Sequence, residues 1–265
     1  VRRVRRVDIY AMANQKGGVG KTAATINLGA ALTEQGRRVL LVDFDPQGHL
    51  SDALGVGETP DDRTLRGALL GEWRGDLHHL VITHRPGLDV MATNVDMSLL
   101  ERGLYMQNNR ERRLSRLLEA LEDDYDTCLI DCAPSLGVIT DCALMAARRR
   151  PERRGGIIVP VEAEDSSIRA LRLLLRQIGI LSEEMDIQLD VLGLVPSRID
   201  VRDGAVVTST LEAFRGLGEP PVIAEIKKRT ELRKAWRAKV SVLEYAPKAD
   251  ISGWFRDLAK VVTAG

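Results

Sequence analysis

A glycine-rich loop near the start of the chain, Asn14-Gln15-Lys16-Gly17-Gly18-Val19-Gly20-Lys21-Thr22, constrains the fold more than any other stretch. It lies between a short apolar run that ends at Met12 and a helical pattern that begins near Lys21. Glycines let backbone N–H groups turn toward an anion without side-chain clashes, and the N-terminus of the next helix adds the positive end of its dipole. The stretch therefore predicts a strand, a phosphate-binding loop and a helix. The predicted phosphate contacts are Gly17, Gly18, Val19, Gly20, Lys21, Thr22 and Ala23.

Lys21 and Thr22 supply the chemistry of this loop. In phosphate-binding loops the lysine reaches the β and γ phosphates of a nucleotide, and the hydroxyl of the next residue ligates Mg²⁺. We therefore predict that Lys21 is catalytic and that Thr22 is a metal ligand. The usual motif has glycine at the position of Gln15 and does not require the lysine found at Lys16. The alternative is a glycine-rich turn with two solvated lysines.

Two aspartates follow the next apolar run. This run starts at Val39 and leads into Asp43 and Asp45. Alternating strands and helices predict a single α/β domain with a mostly parallel, twisted sheet and helices on both faces, and ligands of such sheets collect at the carboxyl ends of the strands. Asp43 and Asp45 are therefore expected beside the phosphates. The alternative for Asp45 is a simple Asx turn before Pro46.

A third carboxylate, Asp131, ends the apolar run Cys128-Leu129-Ile130. In a parallel sheet this strand delivers Asp131 to the same edge as Asp43. In phosphate-loop enzymes an aspartate at this place holds Mg²⁺, usually through water. The sequence therefore predicts that Asp131 belongs to the metal site.

These three stretches resemble the deviant Walker A P-loop ATPases of the ParA/MinD family. The resemblance rests on Lys-Gly-Gly-Val-Gly-Lys-Thr at 16–22, Asp-Phe-Asp-Pro-Gln at 43–47 and Asp-Cys-Ala-Pro-Ser at 131–135. In the last stretch Ala133 replaces the first proline of the common family pattern. The resemblance implies one P-loop ATPase domain over residues 9–265, preceded by a basic tail at residues 1–8.

The resemblance also implies individual roles. Lys16 would reach across a dimer interface to the partner's phosphates, Asp43 would support the water shell of Mg²⁺, and Asp45 would position the attacking water. Pro196 and Arg198 stand where related ATPases place residues around the adenine base. The implied cofactors are ATP and Mg²⁺, with Lys16, Lys21 and Asp45 as the catalytic residues.

A basic segment after residue 225 is the expected partner surface. A helix is predicted to begin with Thr230 as its N-cap and to turn Leu232 and Trp236 toward the core. Basic side chains on another face and at the helix entrance suit phosphate backbones, with little sequence preference and strong dependence on salt. The predicted DNA contacts are Lys227, Lys228, Arg229, Arg233, Lys234 and Arg237. The segment aligns with the stretch that carries non-specific DNA binding in ParA proteins, and the alternative is a solvated helix face.

A second basic run spans residues 148–154 and contains Pro151. It precedes a predicted strand, so it is expected at the sheet edge opposite the nucleotide. We predict a solvated loop there, and a role on DNA is the alternative. Apolar periodicity further predicts a long amphipathic helix within Glu101–Leu121 and a helix from Ser166 to Ile180.

Composition limits the other function classes. The 265 residues include 38 lysines and arginines and 38 aspartates and glutamates, so no overall field draws the chain to nucleic acid. The 3 cysteines lack the spacing of a zinc ribbon and indicate reduced thiols in a cytosolic protein. No apolar run approaches membrane-spanning length. We expect a cytoplasmic protein without stable membrane association.

The function implied by the resemblance is that of a short, Soj-like ParA, because no helix-turn-helix segment precedes Ile9. Such a protein forms an ATP-sandwich homodimer, binds DNA non-specifically on the nucleoid, and is reset when a ParB-like centromere-binding protein stimulates hydrolysis. It serves plasmid partition or chromosome segregation.

Three alternatives to this function stay open. The first is a MinD-like membrane-surface positioning ATPase, for which the apolar stripe from Ile251 to Val262 would form the membrane helix. Few basic residues flank that stripe, so we expect a helix docked on the sheet instead. The others are an ATPase that phosphorylates or amidates a small molecule and a relative of iron–sulfur reductases.

Overall fold

The computed structural model describes residues 7–57, 59–60, 62–151, 153–200, 202 and 204–264. The strands within these ranges are β1 (Asp8–Met12), β2 (Val39–Phe44), β3 (Val81–Arg85), β4 (Leu88–Met91), β5 (Thr127–Cys132), β6 (Gly155–Glu162), β7 (Val191–Ile199) and β8 (Ile226–Lys227). The α-helices are α1 (Lys21–Glu34), α2 (His49–Leu54), α3 (Leu65–Leu70), α4 (Leu100–Tyr105), α5 (Arg113–Glu119), α6 (Val138–Ala146), α7 (Asp165–Met185), α8 (Gly204–Gly216), α9 (Thr230–Arg237), α10 (Val242–Tyr245) and α11 (Asp250–Ala264). Of the predicted basic tail, residues 1–6 lie outside the described residues.

The strands form one sheet in the order β3-β4-β2-β5-β1-β6-β7-β8. Every neighbouring pair is parallel except β3 and β4. This confirms the predicted α/β fold with a mostly parallel sheet. Because β1, β2 and β5 lie side by side, their carboxyl ends bring the phosphate loop, Asp43 and Asp131 to one edge.

Helices cover both faces of the sheet because side chains alternate along each buried strand. In β1, Ile9 and Ala11 belong to the apolar cluster that includes α3 to α7, whereas Tyr10 and Met12 belong to the cluster that includes α1, α2 and α9 to α11. Most apolar side chains of α11 are buried in the second cluster. The buried ones include Ile251, Phe255, Leu258 and Val262, whereas Trp254 is half-buried and Val261 is exposed. The C-terminal stripe therefore docks in the core, as expected.

Helix α1 approaches β2 very closely at Gly29. A Cβ atom added at Gly29 would lie 2.7 Å from Cδ2 of Leu41, closer than such atoms pack in proteins. Any larger residue would therefore require the Leu41 side chain, or the helix itself, to move. The absence of a side chain at Gly29 lets α1, which follows the glycine loop, pack close to β2.

The predicted long helix within Glu101–Leu121 is wrong. The structure has two short helices, α4 and α5, separated by a turn in which Asn109 has a φ of 51°. Asparagine tolerates this left-handed conformation, which an α-helix does not continue through. The apolar face is nevertheless as predicted, with Leu114, Leu117, Leu118 and Leu121 buried.

One helix extends beyond its predicted end, and some elements were not predicted. Helix α7 begins at Asp165 and continues to Met185, past the predicted end at Ile180. Neither β3 nor α8 was predicted. No helix among the described residues combines the length and the apolar character needed to cross a membrane.

The second basic run is not a simple solvated loop. Arg148 and Arg150 lie 3.6 and 2.5 Å from the carboxylate of Glu119, and Arg153 pairs with Glu122. These arginines are half-buried, so the prediction of solvation is wrong for them. Ion pairs within the chain thus offset much of the charge of these three arginines, whereas Arg149 and Arg154 of the same run are exposed.

Candidate nucleotide-binding site

The glycine loop has the backbone conformation that phosphate binding requires. Gly18 and Gly20 have φ angles of 77° and 91°, in the left-handed region that favours glycine. A Cβ atom at Gly20 would also lie 3.4 Å from Cβ of Ser197. Helix α1 begins directly afterwards at Lys21, so its free N–H groups face the loop.

The ammonium group of Lys21 is already held inside this loop. Its Nζ donates to the backbone carbonyl of Asn14 at 3.0 Å and to that of Lys16 at 3.1 Å. The side chain is buried, and burial lowers the pKa of Lys21 from its ordinary value. The loop therefore presents one preorganised cation, which a phosphate group would bind.

Asp43 and Asp131 lie directly beside each other on neighbouring strands. They are paired in the register of β2 and β5, and both are buried. Oδ2 of Asp43 accepts hydrogen bonds from the backbone N–H and the hydroxyl of Ser51, at 2.8 and 2.6 Å. Asp45 is also buried and accepts from the backbone N–H of Gln47 at 3.0 Å. All three predicted carboxylates thus meet at the edge that holds the loop.

The electrostatics of this edge suit a cation. Burial raises the pKa of Asp131 to about 8, and the neighbouring charge of Asp43 contributes in the same direction. Burial likewise raises the pKa of Asp43 to about 6, against the hydrogen bonds from Ser51. The hydroxyl of Thr25 donates to Oδ1 of Asp131 at 3.4 Å, whereas Oδ2 of Asp131 is buried without any hydrogen-bond partner among the described residues. Two adjacent buried carboxylates and an orphaned oxygen fit a bound Mg²⁺, which prefers oxygen ligands and offsets their charge.

Lys16 is held by acidic residues of its own chain. Its Nζ lies 2.6 Å from Oε2 of Glu164 and 3.1 Å from Oε2 of Glu162, and it donates to the hydroxyl of Ser166 at 3.1 Å. These partners stand at the end of β6 and the start of α7. Sequence reasoning assigned no role to any of them, since only the folded sheet brings β6 beside β1.

Arg198 lies over the same loop. Its Nη1 donates to the carbonyl of Gly18 at 2.8 Å and pairs with Oε1 of Glu162 at 3.0 Å. Its φ of 57° is unusual for a residue other than glycine and is consistent with a locally constrained position. Pro196 is buried within β7, opposite Val161 of β6. Of the two predicted adenine contacts, therefore, only Arg198 is brought to the loop by its side chain.

The six predicted DNA contacts fall into two groups. Lys228 pairs with Asp200 at 3.1 Å, while Lys227 and Arg229 lie over the ring of Trp254 at 6.0 and 5.0 Å. Within the described residues, no acidic side chain pairs with the second group, and each of its members is exposed. These are Arg233, Lys234 and Arg237.

The predicted N-cap of α9 is wrong. Thr230 is the first residue of the helix and Arg229 occupies the cap position, which has an extended conformation and no side-chain cap. Leu232 and Trp236 do face the core, half-buried against the cluster that includes α1 and α2.

A glycine loop between β1 and α1, an enclosed lysine and metal-type carboxylates at the carboxyl edge of a parallel sheet together define a P-loop NTPase. A family model described as an AAA domain, AAA_31, matches residues 7–191. With the relatives below, this match shows that the chain belongs to the ParA/MinD family of deviant Walker A P-loop ATPases.

Three similar proteins match this chain over nearly their whole length. The chromosome partitioning protein ParA of Caulobacter vibrioides is 36% identical over 256 residues, which cover 96% of this chain and 93% of that protein. The sporulation initiation inhibitor protein Soj of Bacillus subtilis is 31% identical over 257 residues, with coverages of 97% and 98%. A solved structure of cobyrinic acid a,c-diamide synthase from Mycobacterium smegmatis, with bound ADP and magnesium, is 32% identical with a TM-score of 0.79 and coverages of 96% and 93%.

Proposed function

We propose that this protein is a partition ATPase whose Mg²⁺-dependent ATP hydrolysis times its assembly on DNA. The observation that carries the proposal is the meeting of Lys21, Thr22, Asp43, Asp45 and Asp131 at one sheet edge. The chain also resembles ParA and Soj almost from end to end. The residues at this sheet edge account for ATP hydrolysis, and the resemblance to ParA and Soj supports the role in partition.

In this proposal the glycine loop and Lys21 bind the phosphates of ATP. Thr22 and Asp131 would hold Mg²⁺, with Asp43 supporting its water shell; the bound ion would supply positive charge beside the phosphates. Ser51 holds Oδ2 of Asp43 with two hydrogen bonds, and Oδ1 accepts from the backbone N–H of Asp45 at 3.4 Å, so the carboxylate has a fixed orientation. Arg198 closes the loop from the side of β7.

Asp45 would orient the attacking water. Water adds through its oxygen to the γ phosphorus, the bond to the β–γ bridging oxygen breaks, and the products are ADP and phosphate. A carboxylate suits this position because a water aligned with that bond needs an acceptor. The bond from Gln47 N–H restrains one oxygen of Asp45, which leaves the second for the water.

We further propose that ATP brings two copies together, with Lys16 of each reaching the phosphates of its partner. The dimer would bind DNA non-specifically through the exposed cations of α9 and be reset by a ParB-like centromere-binding protein. The protein would then be cytoplasmic and associated with the nucleoid. The exposure of Arg233, Lys234 and Arg237 supports this surface.

The test is size-exclusion chromatography with light scattering of the Asp45→Ala variant. With ATP and Mg²⁺ it should elute as a dimer, and random duplex DNA should shift that dimer further. Lys21→Ala is the matched control and should stay monomeric. A monomer under every condition would overturn the dimer, and a dimer that ignores DNA would overturn the partition role.

The metabolic alternative keeps one supporting observation, the likeness to the cobyrinic acid a,c-diamide synthase of Mycobacterium smegmatis. An ATPase that amidates or phosphorylates a small molecule should turn over without DNA or a protein partner. ATP turnover measured with and without DNA and a ParB-like protein separates the two. The membrane alternative loses support because most of the apolar stripe of α11 is buried in the core, with only part of it, including Val261, exposed; cosedimentation with anionic liposomes tests it.

A further inference from the structure

Helix α2 is attached at its first turn to the candidate metal site. Ser51 lies in α2 and donates through both its N–H and its hydroxyl to Oδ2 of Asp43. The hydroxyl of Ser51 also accepts from the N–H of Thr93 at 3.3 Å. A change in the position of the Asp43 carboxylate is therefore felt directly by α2.

The next residue of α2 faces the basic helix. Nζ of Lys239, two residues after α9, lies 2.8 Å from Oδ1 of Asp52 and also donates to the backbone carbonyl of Asp52. The ammonium of Lys239, with a smaller hydrogen-bond contribution from Trp236, holds the pKa of Asp52 below its ordinary value. Lys239 itself has a φ of 59°, an uncommon conformation for a lysine.

Apolar packing joins the same two helices. Leu50, Ala53 and Leu54 of α2 and Ala235 of α9 are buried in one cluster, and Trp236 packs against it. At the end of α2 the stem of Lys239 lies against Gly55, where an added Cβ atom would be 3.1 Å from both Cβ and Cγ of the lysine. The two helices therefore move together if either one moves.

A glycine bounds α2 at each end. Gly48 before the helix and Gly55 after it both adopt left-handed conformations, with φ of 62° and 63°. Residues at the ends of elements are the ones that absorb backbone changes when a small rigid body shifts. Helix α2 is thus a short body between two glycines, bonded on one side to Asp43 and on the other to α9.

We propose that Lys239 is a positioning residue which, through Asp52 and α2, couples the nucleotide site to the basic face of α9. Nucleotide with Mg²⁺ at Asp43 and phosphate backbone at α9 then raise each other's affinity. The inference rests on the proposed function, because it assumes that both ligands bind. Coupling of this kind is reciprocal: the factor by which ATP strengthens DNA binding equals the factor by which DNA strengthens ATP binding.

The experiment measures that factor. The dissociation constant of random duplex DNA is determined by fluorescence anisotropy with and without a non-hydrolysable ATP analogue and Mg²⁺, and that of the analogue with and without DNA. The wild type should show a factor of about fivefold or more. Asp52→Asn and Lys239→Met should each reduce this coupling factor by about two- to fivefold, which corresponds to the free energy of an exposed ion pair.

Charge reversal makes the test specific. Asp52→Lys places two cations together and should reduce the factor further, and the exchange Asp52→Lys with Lys239→Asp should restore part of it. Lys260→Met is the control, since Lys260 forms a similarly exposed pair with Asp257 at 2.8 Å on α11. It should leave the factor unchanged.

Each outcome is decisive. If Lys239→Met weakens DNA binding equally with and without nucleotide, Lys239 is only a DNA contact and the inference is overturned. An unchanged factor in Asp52→Asn overturns it as well. If the wild type binds neither the analogue nor DNA, the proposed function itself fails, which is a different result from intact binding without coupling.

Discussion

Lys16 and Glu164 form an ion pair within one chain, with 2.6 Å between Nζ and Oε2. Glu162 and Ser166 contact the same ammonium group. The lysine that is proposed to serve a partner's phosphates is therefore bound to its own chain in the nucleotide-free protein. Dimerisation has to exchange these contacts for phosphate contacts, so they oppose it.

Loss of this ion pair should favour the dimer. In an Asp45→Ala background, Glu164→Gln should tighten ATP-dependent dimerisation by about two- to fivefold, because an exposed pair no longer competes for Lys16. Analytical ultracentrifugation with ATP and Mg²⁺ measures the dimer dissociation constant. Glu72→Gln, which alters a remote pair with Arg66, is the control. A weaker dimer in Glu164→Gln would show that Glu164 stabilises the assembled state instead.

Removal of the loop cation should abolish nucleotide binding. Lys21→Ala deletes the ammonium group that the carbonyls of Asn14 and Lys16 hold in place for phosphate. We expect affinity for ATP to fall by about 100-fold or more, as for the loss of charge-assisted hydrogen bonds. Isothermal titration calorimetry measures it. Affinity within a few-fold of the wild type would contradict the assignment of the loop.

The carboxylate edge should make the ligand-free protein sensitive to pH. The folded-state pKa of Asp131 is raised to about 8, whereas the ordinary value is about 4. The native state thus binds more protons than the unfolded state between these values, and stability falls as pH rises from about 4 to about 8.

Asp131→Asn should flatten this dependence and raise the melting temperature near pH 8, where each kcal/mol corresponds to roughly 2–4 °C. Differential scanning calorimetry without nucleotide or Mg²⁺, from about pH 5 to about pH 8.5, spans the window in which the two states bind different numbers of protons. A variant that melts lower than the wild type near the upper end of that range would show that the charged form of Asp131 does not destabilise the folded state.

The exposed cations of α9 should carry DNA binding. Reversal of Arg233 and Arg237 to glutamate should weaken binding equally for all sequences and lower the slope of log K against log salt by about 1 for each phosphate that is no longer neutralised. Arg149→Glu on the opposite edge is the control, since Arg149 is also exposed. Anisotropy titrations at several salt concentrations measure both. Unchanged affinity and slope would exclude α9 as the surface.

The central part of the site could be predicted because the parallel direction of the strands determines it. Asp43, Asp45 and Asp131 end buried strands of a parallel sheet, and such ends share one edge with the glycine loop. Ser51 and Glu164 could not be predicted in the same way, since their contacts depend on how α2 and β6 pack. The break at Asn109 was missed because apolar periodicity continues on both sides of it.

The pairing of charged side chains was the least predictable property of the chain. The basic segments at 148–154 and 227–237 look alike as sequence, yet arginines of the first are paired with Glu119 and Glu122. Only the second leaves a group of exposed cations without acidic partners among the described residues. Pairing across long sequence separations leaves no local pattern from which it can be read.

The close approach of Gly29 to Leu41 gives the molecule a stationary frame. Because α1 packs on β2 without a side chain between them at this point, the loop that precedes α1 has its shape before any ligand binds. Two copies would then meet with both loops already prepared for phosphate, and hydrolysis would change the nucleotide between them. Each round could begin without refolding of the loop.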